Sequence, residues 1–127
     1  MRCARPARER DRGSVDSSIP MLFGSIAVLF VLLLVFEVVA YWHARNVYGD
    51  AAAEGARVAA AWDGSCAAGV VAARAVVDGS AGSWAGDVEV TCMDGPTVAV
   101  TVAGRTPGVL GGAGMHARIT ETAPKER

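Results

Sequence analysis

The sequence predicts an α+β protein: a long N-terminal transmembrane helix continuing into a small head that holds a second helix and a short antiparallel sheet. Three observations predict it. Residues 17–36 carry no charge and are mostly Leu, Val, Ile, Phe or Ala. The Ala-rich stretch that follows, up to Ala61, contains no strong helix breaker. From Asp87 onward apolar residues recur at every second position, the period of a half-buried strand.

Residues 1–16 form a polar arm, basic from Arg2, Arg5, Arg8, Arg10 and Arg12. Residues 17–42 are the membrane segment. About 20 apolar residues cross a bilayer core, and Ile19 to Trp42 meets that length. A cleaved secretory signal has a shorter apolar region with a small-residue cleavage site after it. Here the run passes instead into Glu37 and then Tyr41-Trp42-His43, and Tyr and Trp favour the membrane–water boundary. Pro20 is expected in the first helical turn, where the missing N–H costs nothing. Beyond the span, Arg45 and Arg57 are mixed with Asp50 and Glu54. The side richer in Arg stays cytoplasmic. The expected location is therefore a single pass through the cytoplasmic membrane, N-terminus inside and residues 43–127 extracytoplasmic. No aromatic residue interleaves the arginines, so the arm suits anionic membrane lipid and not nucleic acid. Cys3 lies in the arm, on the cytoplasmic side.

Glu37 lies about 26 Å beyond Pro20 along a helix, near the outer boundary. It reads either as an interface marker or as a contact with a partner helix. Residues 43–62 continue the helix, giving one element from about Ile19 to Ala61, roughly 65 Å long. Its Ala and Gly positions permit close packing, against its own domain or a neighbouring helix. Asp63-Gly64-Ser65 ends it. Ala67 to Val77 reads as a second helix, with Val70, Arg74 and Val77 on one face, Val71 beside them, and Gly79 as C-cap. Residues 79–86 form a loop. Val88, Val90 and Cys92, then Val98, Val100 and Val102, alternate with polar or small residues around Asp94-Gly95-Pro96, the pattern of a β-hairpin. Gly104 to Gly114 is a loop or extended crossing. Met115, Ala117 and Ile119 suggest a third strand. The head spans residues 63–122, and residues 123–127 form a polar, frayed tail.

A head this small is marginal without a staple. Outside the cytoplasm Cys66 and Cys92 are expected to pair, the alternative being two free thiols. The pairing would contribute about 3.5 kcal/mol in the chain-entropy model. No catalytic constellation is present. His43 and His116 lie far apart in sequence, and no CxxC suggests a metal site. The Gly-rich segment lacks the Lys-Ser/Thr of a phosphate loop. Asp87 and Glu89 share a strand face, which reads as solvated. The sequence thus points away from an enzyme, a cofactor or a small-molecule substrate.

Glu37 to Ala61 reads EVVAYWHARNVYGDAAAEGARVAAA. With Glu37, Ala44-Arg45 and Glu54-Gly55-Ala56-Arg57 in that order, it resembles the TadE-like family of the Tad (Flp) pilus and secretion machinery. Arg12-Gly13-Ser14 before the span, and the cysteines Cys66 and Cys92 with their Val-rich strands, resemble the actinobacterial branch. The resemblance covers most of residues 12–122. It implies a pilin-like head and a minor pseudopilin-like role in pilus assembly or secretion. The implied partners are other Tad subunits and inner-membrane platform proteins. It also implies assembly contacts through Glu37, Arg45, Glu54 and Arg57. Related prepilins are cut after a Gly, which makes Gly13 and Ser14 the candidate processing site. The fifth residue after such a cut is normally Glu, and here it is Ser18, with Asp16 the nearest acid. Processing after Gly13 and an uncut signal anchor both stay open. The reading from another class is a single-pass anchored extracytoplasmic binding module unrelated to pili.

Overall fold

The computed structural model describes residues 13–108 and 114–126, with side chains from residue 18 onward. Cys3 and the five arginines of the arm lie outside the described residues. The elements are α1 (Gly13–Ala60), α2 (Cys66–Ala81), a 3-10 turn (Gly82–Trp84), β1 (Glu89–Met93), β2 (Thr97–Arg105) and β3 (His116–Pro124). This is the expected α+β class, with a three-stranded antiparallel sheet in the order β1-β2-β3. The chain divides into two compact units between Val35 and Phe36.

Before that division the described residues belong to α1 alone. Their side chains are exposed except for half-buried Leu33. Among the described residues α1 is the one helix long and apolar enough to cross a membrane, judged by length and composition. Its apolar window has a mean hydropathy of 2.8 and none of it is buried in protein. The helix begins at Gly13, so Pro20 lies inside it and not in its first turn. The ring there removes one backbone hydrogen bond, to the carbonyl four residues earlier.

After the division, two helices cover one face of the sheet. The head-side part of α1 buries Ala44, Val47, Tyr48, Ala51, Ala52, Ala56, Ala59 and Ala60. That is the i, i+3, i+4 recurrence of a single helix face. Gly55 completes the stripe and meets Gly69 of α2. A Cβ on Gly69 would come 2.6 Å from the Gly55 carbonyl oxygen and 2.7 Å from the Ala59 Cβ. Only glycine lets the two backbones approach so closely. From the sheet, Val98, Val100 and Val102 point into this core and are fully buried. Tyr48 reaches the far end of β2, where Gly104 has no side chain to obstruct its hydroxyl.

Several boundaries differ from the sequence expectation. Helix α2 does not stop at Gly79. Its buried face is Gly69, Ala73, Val77 and Ala81, and burying Ala81 carries the helix one half-turn further. Gly82 then ends it with φ of 57° and ψ of −135°, a positive-φ backbone that glycine adopts without steric cost. The expected face of Val70, Arg74 and Val77 is rotated: Arg74 is exposed and Val71 is 67% exposed. Of the expected face only Val77 is fully buried, and at the crossing itself Gly69 and Ala73 meet Gly55. Gly104 and Arg105 belong to β2 and not to the following loop, of which residues 109–113 lie outside the described residues. Strand β3 runs to Pro124, and the described part of the tail is held. Lys125 N–H donates to the Pro96 carbonyl at 3.1 Å, and Glu126 N–H to the Ala60 carbonyl at 2.9 Å.

Cys66, the first residue of α2, forms a disulfide with Cys92 of β1, with Cα atoms 5.5 Å apart. The side chain of Ser65 caps the helix beside it, accepting from Ala68 N–H at 3.2 Å. The bond ties α2 to an edge strand at the end of the head where α1 finishes.

Candidate functional site

Two surfaces of α1 carry the residues of interest. Near Phe36, the ring of His43 lies 6.4 Å from that of Trp84 in the 3-10 turn. Trp84 also packs on Tyr48 at 6.0 Å. Both contacts are tilted, an arrangement aromatic pairs favour. The Tyr48 hydroxyl donates to the Arg105 carbonyl at 2.6 Å, and burial pushes its phenol above the ordinary value. Trp42 is exposed, and the Arg45 guanidinium sits over its ring at 5.8 Å, within cation–π range. Glu37 is half-buried one turn before Tyr41.

Further along, Arg57 grips Glu54 with two hydrogen bonds, Nε at 2.9 Å and Nη2 at 2.7 Å. The guanidinium hydrogen bond holds the Glu54 carboxyl below its usual range. The Arg57 side chain is 73% exposed, so this pair does not dock the head onto the helix. Within Glu54-Gly55-Ala56-Arg57 the roles divide by helical phase. Gly55 and Ala56 face the core, while Glu54 and Arg57 face outward. Arg45 makes its contact with Trp42 and stands more than two turns from Glu54. The four candidate contact residues therefore form three separate features, not one constellation. Gly13 and Ser14 are the first residues of α1, and their side chains lie outside the described residues.

Beside the exposed face of α1 runs an open groove of about 610 Å³. Arg45, Gly49, Asp50 and Ala53 line it from the helix, and Ile119 and Glu121 from β3. It was not legible in the sequence, because its two walls come from segments some 70 residues apart in the chain. At the opposite end of the head the Lys125 amine contacts both Asp94 carboxylate oxygens, at 2.7 and 2.9 Å. This ion pair holds the Asp94 carboxyl below its ordinary value. The sequence signal for it was weak: a lone Lys in a polar tail and an Asp in a turn.

No protein-family model matches the chain, and no curated protein or solved structure does either.

Proposed function

We propose that the protein is a membrane-anchored, minor pseudopilin-like component of Tad/Flp-type pilus assembly or secretion. It would be anchored with its N-terminus in the cytoplasm and its head outside. The observation that carries this reading is the dual use of α1. One helix, Gly13–Ala60, supplies both the membrane-length apolar run and the central element of the head's core. A tethered binding domain needs no such sharing, whereas a subunit that assembles through its helix does. The resemblance of Glu37 to Arg57 to the TadE-like pattern supports the same reading. Of its charged members, Arg45 and Arg57 are exposed and Glu54 is half-buried, and their charged groups are available to platform proteins or sister subunits. One observation favours the second reading, an anchored binding module: the groove between α1 and β3.

The deciding experiment is the mass of the mature chain extracted from membranes, combined with photo-cross-linking from position 38 beside Glu37. A terminus at Ser14 with adducts to other pilus subunits supports the proposal. An intact arm with adducts supports an uncut assembly component. A head recovered free of residues 19–42, or a full chain with no pilus-subunit adducts, refutes it.

A further inference from the structure

Among the described residues the sheet has two unpaired edges, one on β1 and one on β3, because β2 lies between them. Both strands run antiparallel to β2, so they are parallel to each other. The register places Glu89 opposite Ala103, and Ala103 opposite Arg118. These three residues form one row across the sheet, on the face turned away from Val98, Val100 and Val102. The next rows are Thr91–Thr101–Thr120 and Met93–Ala99–Thr122. An exposed carboxylate thus sits on one edge and an exposed guanidinium on the other, at the same level and on the same face. Two strand spacings, roughly 9.6 Å, separate their backbones. Among the described residues, neither of the two forms an ion pair.

We infer that the β3 edge accepts the β1 edge of a second copy of this chain, in parallel, so that successive heads form a continuous sheet. A second copy placed one strand spacing beyond β3 brings the next copy's Glu89 beside Arg118, and the next copy's Thr91 beside Thr120. The charges that stand apart within one head become cross-strand neighbours between heads, and cross-strand opposite charges stabilise sheets. The contact is heterologous. Each head offers β1 to one neighbour and β3 to another, and such contacts propagate as open arrays. Free edges are ready templates for this pairing. The five residues Glu89–Met93 make a junction roughly 17 Å long. That is a small contact, which favours copies already concentrated and held in one sense. Anchors in a common membrane supply both conditions, and to that extent the inference rests on the membrane reading above. The groove beside β3 leaves the approach to this edge open on its helix side.

Disulfide trapping in membranes tests it, using the full chain with Cys3→Ser. Thr91→Cys and Thr120→Cys in the same chain should give a ladder of dimer, trimer and higher species on mild oxidation, and neither substitution alone should. Adding Arg118→Glu should reduce the ladder at least tenfold, and adding Glu89→Arg to that variant should restore it. Retention of the Cys66–Cys92 bond, read by mass spectrometry, confirms that each variant is folded. Dimers from Thr120→Cys alone would reveal a two-fold β3–β3 contact and overturn the inference, as would folded variants that give no ladder. A ladder from protein that fractionates away from membranes would overturn the anchor and leave the edge pairing standing.

Discussion

Helix α2 offers the same substitution at two positions with opposite expected outcomes. At Gly79 an added Cβ meets nothing within 4 Å. Replacing glycine by alanine inside a helix removes a backbone-entropy penalty of about 0.5–1 kcal/mol, so Gly79→Ala should stabilise the head by that amount. At Gly69 the propensity gain is the same, but the new Cβ falls 2.6 Å from the Gly55 carbonyl oxygen and 2.7 Å from the Ala59 Cβ. Neither is the end of a flexible side chain, so α1 and α2 must separate. Overpacking of this kind costs about 1–3 kcal/mol, leaving Gly69→Ala destabilised by about 1 kcal/mol net. Gly69→Val adds two methyl groups to the same gap and should lose about 2 kcal/mol or more. Urea unfolding of the full chain in detergent micelles measures both, followed by tryptophan fluorescence because Trp84 packs on Tyr48. With a urea slope of about 1–2 kcal/mol per molar, the Gly69→Ala midpoint should fall by about 0.5–1 M while that of Gly79→Ala rises. A rise at both positions would refute the crossing, since it would mean α1 and α2 have room to spare where Gly55 faces Gly69.

Replacing Cys66 and Cys92 together by Ser should cost about 3.5 kcal/mol for a loop of 26 residues' separation; a loss under 1 kcal/mol in the same urea assay would contradict that role. Tyr48→Phe removes the bond to the Arg105 carbonyl and should cost about 0.5–1.5 kcal/mol near neutral pH. The phenol is also pushed above its ordinary value of 10.0 by burial. The native state therefore holds its proton where the unfolded chain releases it. This contribution is complete below pH 10 and is lost as pH rises through the folded value; Tyr48→Phe should flatten that alkaline decline, and an unchanged slope would count against it. At the acid end, Lys125 lowers the Asp94 carboxyl from its ordinary 3.8. The contribution is present above that value and disappears as pH falls through the lower folded one, so Asp94→Asn should remove part of the acid-side slope in a pH titration of stability.

What was legible in the sequence followed from periodicity. The charge-free run, the alternation around Asp94-Gly95-Pro96 and the cysteine on the valine face pointed to the long apolar helix, the hairpin and the disulfide. These are local signals, and each concerns residues whose burial follows directly from their chemistry. The misplaced features share a different cause. Helix α2 was assigned a valine-marked face, yet its crossing with α1 is decided by Gly69 and Ala73, and by backbone distances that hydropathy does not register. Gly79 reads as a C-cap because glycine is favoured just past a helix end, but burial of Val77 and Ala81 carries the helix through it at a cost of about 1 kcal/mol in propensity. The tail looked frayed because it is polar, while its hydrogen bonds to Pro96 and Ala60 depend on where β3 ends. The groove and the edge-to-edge row of Glu89 and Arg118 required the strand register itself.

The small-residue stripe bears most directly on how the protein would act. In sequence, Ala44 to Ala60 suited packing either within the head or against a neighbouring helix. Structure assigns it to the head: Ala51, Ala52, Ala56 and Ala59 are almost completely buried by α2 and the sheet. That face is occupied and has nothing left to offer a partner. Contacts made by this part of α1 must use the opposite side, where Arg45, Asp50, Ala53 and Arg57 are exposed. Substituting these residues should therefore alter assembly while leaving the urea midpoint unchanged. Substituting the stripe should lower the midpoint first and affect assembly only as a consequence. A variant of Ala52 or Ala56 that kept full stability yet lost its partners would show that the stripe is shared, and that the head loosens from α1 when the protein assembles.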